Sequence, residues 1–224
     1  MKSLITKISA VIIVGAALAS CDTMASENES MYEVTITNIT HGEIFTPIMV
    51  ASHKKGVKIF NLGESASLAL EDLAESGNPG ALTTNLLESG DALDVAQAGG
   101  VLLPGKSITL NVKMNKRNSY ITVASMLVPS NDAFFAVNGH HVGKAKNPIT
   151  IYSPVYDAGS ELNDEQCGSI PGPPHVCTGE GTNLESGEGF VHIHPGIQGI
   201  GSLDTAQFDW RNPAAKITIT RVKN

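Results

Sequence analysis

Tyr32, Val34 and Ile36 alternate with Glu33, Thr35 and Thr37, the period of a strand that buries one face and wets the other. The same period returns at Ile108, Leu110, Val112 and Met114, and again at Ile217 and Ile219 within a closing strand over 215–222. Shorter apolar runs at 48–52, 119–128, 133–137, 149–152 and 190–194 read as further strands. The spacing changes once. Ala66, Leu70, Leu73 and Ala74 fall at i, i+4, i+7 and i+8, which is one face of a helix. Ser65-Ala66-Ser67 opens that helix and Gly77 closes it. A weaker helix or turn is expected over 81–87, a small-residue loop over 91–100, and a mobile loop rich in Gly, Glu and Ser over 177–189. About eight short strands with turn signals between them, one or two short helices and no fixed repeat predict an all-β fold, an antiparallel β-sandwich.

The first twenty residues stand apart from this pattern. Lys2 and Lys7 make a positive start, and 8–18 is apolar but short for a bilayer span. The run ends in Leu18-Ala19-Ser20-Cys21, which reads as a bacterial lipobox. Residues 1–20 are therefore expected to be a signal peptide, Cys21 to carry lipid, 21–30 to form a tether and 31–224 the folded domain. Several acyl chains on one N-terminus anchor a protein stably. The expected location is a bacterial cell envelope, on the membrane through the lipid and facing periplasm or exterior. Asp22 favours the inner membrane under enterobacterial sorting rules, which do not hold in all bacteria, so the leaflet stays open. Removing the signal takes two of the 15 basic residues and none of the 22 acids, which leaves the mature chain at −9. That balance argues against nucleic acid and anionic membrane as partners and suits a domain that takes up cations.

With Cys21 committed to lipid, Cys167 and Cys177 remain on either side of a Pro/Gly-rich loop. An oxidising compartment predicts a disulfide between them. A Cys/His metal site with His175 is the alternative, and it lacks two further evident ligands.

Asp132 lies in PSNDAFFAVNG (129–139), and Asp157 and Glu161 lie in YDAGSELNDE (156–165). All three sit at the ends of strand-like runs, so neighbouring loops can bring them to one point. Converging carboxylates repel unless a cation sits between them, and an oxygen-only set favours calcium before magnesium. These segments resemble the spondin domain of F-spondin and mindin, in which an acid of an SPDWF-type segment and two of a WDAGTD-type segment hold calcium. FTPIMVASH (45–53), LAESG (73–77) and a closing strand ending in Arg221-Val222 fall in the family's order, so the resemblance covers about 32–222. It is closest to the bacterial stand-alone branch, and it implies a C2-like sandwich with the acidic loops gathered at one end. Two positions depart from the animal pattern: Ala133 stands where tryptophan is usual, and the third acid is glutamate. No thrombospondin repeats follow, so the animal proteins' adhesion and immune partners do not carry over.

Other polar groups give weaker signals. His192 and His194 sit two apart on an expected strand, which puts both on one face and Val191 and Ile193 towards the core. Such a pair can bind copper or zinc, and is more often hydrogen-bonded or solvated. His140 and His141 read as loop. Asn163, Asp164 and Glu165 could lend an oxygen to the ion or simply form a polar turn. Gly196, Gly199 and Gly201 make only a loose GxG-type turn. No G-x-S-x-G, HExxH, Walker or CxxC sequence occurs. The expectation is a non-enzymatic, lipid-anchored, calcium-binding module that recognises an unidentified protein or glycan. The alternative is a copper or zinc envelope protein or metalloenzyme built on His192 and His194.

Overall fold

The computed structural model of this 224-residue chain describes residues 28–143, 145–173, 175–179, 181 and 187–223. The expected signal peptide, Cys21 and most of the tether lie outside the described residues. Along the chain run β1 (Ser30–Asn38), β2 (Ile44–Phe45), β3 (Met49–His53), α1 (Leu68–Ser76), α2 (Gly80–Glu88), β4 (Ala92–Gln97), β5 (Ser107–Met114) and β6 (Tyr120–Val128). There follow β7 (Ala133–His141), β8 (Ile149–Ser153), β9 (Val155–Asp157), β10 (His192–Ile193), α3 (Thr205–Phe208) and β11 (Ala215–Arg221).

The strands make two antiparallel sheets, so the all-β sandwich expected from the alternation is what forms. One sheet has the order β5-β1-β11-β8, and the other runs β10-β9-β7-β6-β3-β4 with β2 on the far end of β6. In the first sheet Val34 faces Ile219 and Leu110, and Ile36 faces Ile217 and Ile108. Its other face is polar: Thr35 Oγ1 and Thr109 Oγ1 share a hydrogen bond of 2.8 Å across the strands. That division is why β1, β5 and β11 are so legible as alternating sequence.

The second sheet is buried on both faces, which removes the period of two from its central strands. Phe135, Val123, Ile121 and Val50 point into the sandwich, against Val34, Ile36, Val112 and Ile217. Phe134, Ala124, Ala136, Met49 and Ala51 point the other way, against Leu70, Leu73, Leu82 and Leu86 of the two helices. Each fully buried phenylalanine contributes about 1.5–3 kcal/mol of apolar burial. α1 begins where expected, with Ser67 Oγ accepting from the Leu70 N–H, and ends on Gly77 at φ +70°, whose N–H bonds the Leu73 carbonyl at 3.1 Å.

Four expectations on the course of the chain are corrected. The 91–100 loop contains a strand, β4, whose Val95 and Ala96 pair with Ala51 and Val50 of β3. Its alanines hid the pattern, and pairing with β3 supplies what local propensity does not. His140 and His141 close β7 rather than forming a loop. They pair with Ile121 and Tyr120 beyond a register shift at Ile121/Thr122, which absorbs the turn at Gly139 (φ +76°). The strand expected over 190–194 is only the two residues of β10. The described residues hold eleven strands and three helices rather than about eight and one or two: besides β4, the additions (β2, β9, α3) are two to four residues long and carry no readable period.

Candidate metal centre

Asp132 is placed by the turn between β6 and β7. Ser130 Oγ bonds the Leu127 carbonyl at 2.5 Å and accepts from the Ala133 N–H at 3.2 Å, which closes the turn. Ala133 then pairs with Asp157 across β7 and β9, and on the other side of β9 Asp157 pairs with His192. The β6–β7 turn, the end of β9 and the start of β10 therefore meet at one edge of the larger sheet. Glu161 follows four residues after Asp157 on a tight loop, and Asp132, Asp157 and Glu161 are all buried.

The contacts between these segments are specific. Asp132 Oδ2 accepts from the Ser160 N–H at 2.9 Å, the Ser160 hydroxyl at 3.2 Å and the Glu161 N–H at 3.1 Å. Its Oδ1 is buried and has no hydrogen-bond partner among the described residues. Asp157 Oδ1 accepts from the Gly159 N–H at 2.7 Å, and Oδ2 accepts from Asn163 Nδ2 at 2.6 Å. Gly159 sits at φ +68°, and a Cβ there would stand 2.3 Å from the Phe190 carbonyl oxygen. Only glycine lets this loop pass so close to the strand segment before β10.

Burial, and next the charge of Asp157, holds the Asp132 carboxyl well above the usual carboxylate range. Asp157 is also raised, first by burial, against the opposing pull of Asn163 and His192. Among the described residues neither acid has a lysine or arginine within 4.0 Å; the nitrogens nearest Asp157 are the imidazole His192 Nε2 at 3.9 Å and His194 Nε2 at 3.7 Å. Two neighbouring buried acids without a basic partner are costly as a metal-free pair.

The histidines lie differently from the expectation. His192 and His194 do face the same way, towards Asp157, but Ile193 between them is 51% exposed, and it is Val191 that is buried. The strand leaves the sheet after two residues, so the faces follow the loop and not the pleat. His194 is buried against the edge of Trp210, and burial, with His192 second, lowers its pKa to about 3.

Several residues that the sequence left open, or gave no sign of, organise the loops. Asn131 accepts from the Glu165 N–H and donates to Asp164 Oδ1. Asp164 further accepts from the Gln166 N–H and the Ser169 hydroxyl, so it serves the turn. Glu165 is buried and takes the N–H groups of Gln198 and Ile200. The amides of the glycine turn, which an anionic ligand would need, are thus taken by a carboxylate of the same chain. Asn163 orients Asp157. The Asn-Asp-Glu run in the sequence is the one signal that pointed here. Cys167 and Cys177 form the expected disulfide, S–S 2.07 Å, and Cys177 packs into the main core. That pairing removes the Cys/His alternative with His175.

The chain matches the family model Spondin_N over residues 31–161, more than half its length and inclusive of all three acids. It belongs to the spondin N-terminal domain family. Spondin domains are extracellular binding modules of a non-catalytic type. No curated protein matches the chain. The match ends at Glu161, so the disulfide loop, the glycine turn and both histidines of the HxH pair lie beyond the part of the spondin domain that the family model covers.

The three acids suit a hard cation: the donors are all oxygen, they are buried, and Asp132 Oδ1 is an orphaned acceptor. Their carboxylates share one loop cluster without closing to a trio within 4.8 Å. Among the described residues the group that does so is Asp157, Glu188 and His192.

Proposed function

We propose that this spondin domain is a lipid-anchored, extracytoplasmic calcium-binding module that recognises a protein or glycan and catalyses no reaction. The observation that carries the reading is the pair Asp132 and Asp157: both fully buried, Asp132 next to the Ala133 that pairs with Asp157, and with no lysine or arginine within 4.0 Å among the described residues. A calcium ion would be held by Asp132, Asp157 and Glu161, and it would supply positive charge beside Asp132 and Asp157. Its effect would be to lock the loops at that end of the sandwich. Phe190, Ile193 and Leu162, exposed by 40–51% beside the acids, give the locked end apolar contact surface. The acidic mature chain disfavours nucleic acid there. The lipid on Cys21 would keep this surface at the membrane of a bacterial envelope.

The rival reading joins His192 and His194 to one copper or zinc ion, and the hydrogen bonds disfavour it. His194 Nδ1 accepts from the Gly196 N–H at 3.0 Å, so in the neutral ring the proton sits on Nε2, the nitrogen facing Asp157. That nitrogen is a donor and not a ligand. Elemental analysis of protein purified without a histidine tag tests the calcium reading. Stoichiometric calcium, lost in Asp132→Asn, is the expected result; a chain that holds no calcium at millimolar concentrations would overturn it.

A further inference from the structure

We propose a second metal site on this chain, formed by Asp157 Oδ1, Glu188 Oε2 and His192 Nε2 and taking a divalent transition ion, zinc foremost. It is built from a different donor set from the calcium site, shares only Asp157 with it, and stands whether or not calcium binds.

Three ligand atoms, one from each residue, lie within 4.8 Å of one another. His192 Nε2 is 3.5 Å from Glu188 Oε2 and 3.9 Å from Asp157 Oδ1. Two ligand atoms on arms of 2.0–2.1 Å at the tetrahedral angle stand about 3.4 Å apart, so a small inward movement of exposed side chains completes the site.

The imidazole is already set for ligation. His192 Nδ1 lies 3.2 Å from the Ile193 carbonyl, which can only accept. Nδ1 therefore carries the proton, and in the neutral ring the lone pair is on Nε2, the nitrogen that faces both carboxylates. A backbone carbonyl on the far nitrogen is the usual support of a metal-bound histidine. The edge-on Phe190 ring, 5.3 Å away, limits rotation of the imidazole. His194, two residues on, has the opposite tautomer and so does not chelate. Its Nε2 lies 3.7 Å from Asp157 Oδ2, beyond hydrogen-bond distance.

The three ligands divide the work. Asp157 is buried and held by Gly159 and Asn163, so it is the fixed corner. The side chains of His192 and Glu188 are 23% and 39% exposed, which gives the ion a way in from solvent. One imidazole and two carboxylates suit zinc better than calcium, and three protein ligands leave a fourth position to water.

The test is zinc and cobalt titration of the full chain, stripped with EDTA and solubilised in detergent, at pH 7.5. Wild type should bind one zinc, and cobalt should give the visible absorption of a low-symmetry site. Asp132→Asn should keep zinc affinity within a factor of two while losing calcium. Glu188→Gln, a surface change that leaves folding intact, and His192→Ala should each weaken zinc at least tenfold and leave the calcium response. Wild type that binds no zinc at 100 μM overturns the proposal. So do equal zinc affinities in wild type, Glu188→Gln and His192→Ala, which would assign these contacts to a protonated imidazole pairing with two acids.

Discussion

Glu43, on the connection from β1 to β2, is a fully buried acid with no hydrogen-bond partner on either carboxylate oxygen among the described residues. Burial, and next the charge of Asp209, holds its carboxyl well above the ordinary value of 4.5. As pH rises past about 4.5, the unfolded chain releases this proton and the folded chain keeps it. The stabilisation is thus fully present below the unfolded pKa and is lost as pH rises towards the folded one. The slope is about 1.4 kcal/mol per pH unit in that window. Glutamine keeps the shape and does not titrate, so Glu43→Gln lacks the slope. One kcal/mol moves the melting temperature by about 2–4 °C for a chain of this size, so the variant should gain on wild type by roughly 3–6 °C per pH unit above pH 5. Melting both proteins from pH 4 to 8 in saturating calcium checks this, because the metal centre then acts equally on each. Curves that stay parallel above pH 5, or a variant less stable than wild type at pH 8, would refute the reasoning.

Three further outcomes are expected. The double substitution Cys167→Ala and Cys177→Ala should cost roughly 2–3 kcal/mol in denaturant unfolding, the loop-entropy value for a short bridge, and an unchanged midpoint would contradict it. Gly159→Ala should lower stability clearly more than Gly90→Ala and abolish the calcium response. Both glycines have φ near +67°, but only Gly159 has backbone within 3 Å of the new Cβ. Cys21→Ser should move the protein from the membrane pellet to the soluble fraction, and a variant that stays in the pellet with unchanged mobility would remove the lipid anchor from the account.

Legibility followed burial. β1, β5 and β11 bury one face each, so their alternation named them and their partners' inner positions. β6 and β7 are buried on both faces and gave boundaries but no orientation, which is why nothing in the sequence assigned Phe134 to the helices and Phe135 to the sandwich. β4 and β10 owe their existence to partners distant in sequence. The acids of the candidate site were readable because they lie at the ends of strand-like runs. The link between them was not: Ser160 binding Asp132, Asn163 binding Asp157 and Asn131 clasping Asp164 and Glu165 are loop-to-loop bonds with no periodic trace. The HxH spacing gave the right shared direction and the wrong core residue, because β10 ends before the pleat can set the face of Ile193.

The central claim is tested most directly by melting wild type and Asp132→Asn in calcium and in EGTA. Calcium at a hundredfold excess over its dissociation constant adds about 2.7 kcal/mol to wild type, or roughly 5–11 °C. In EGTA the variant should melt above wild type, because it loses a buried acid held above its ordinary pKa beside Asp157. In calcium it should melt below, because it loses a ligand. The account predicts that crossing; wild-type melting that is the same in calcium and in EGTA would contradict it.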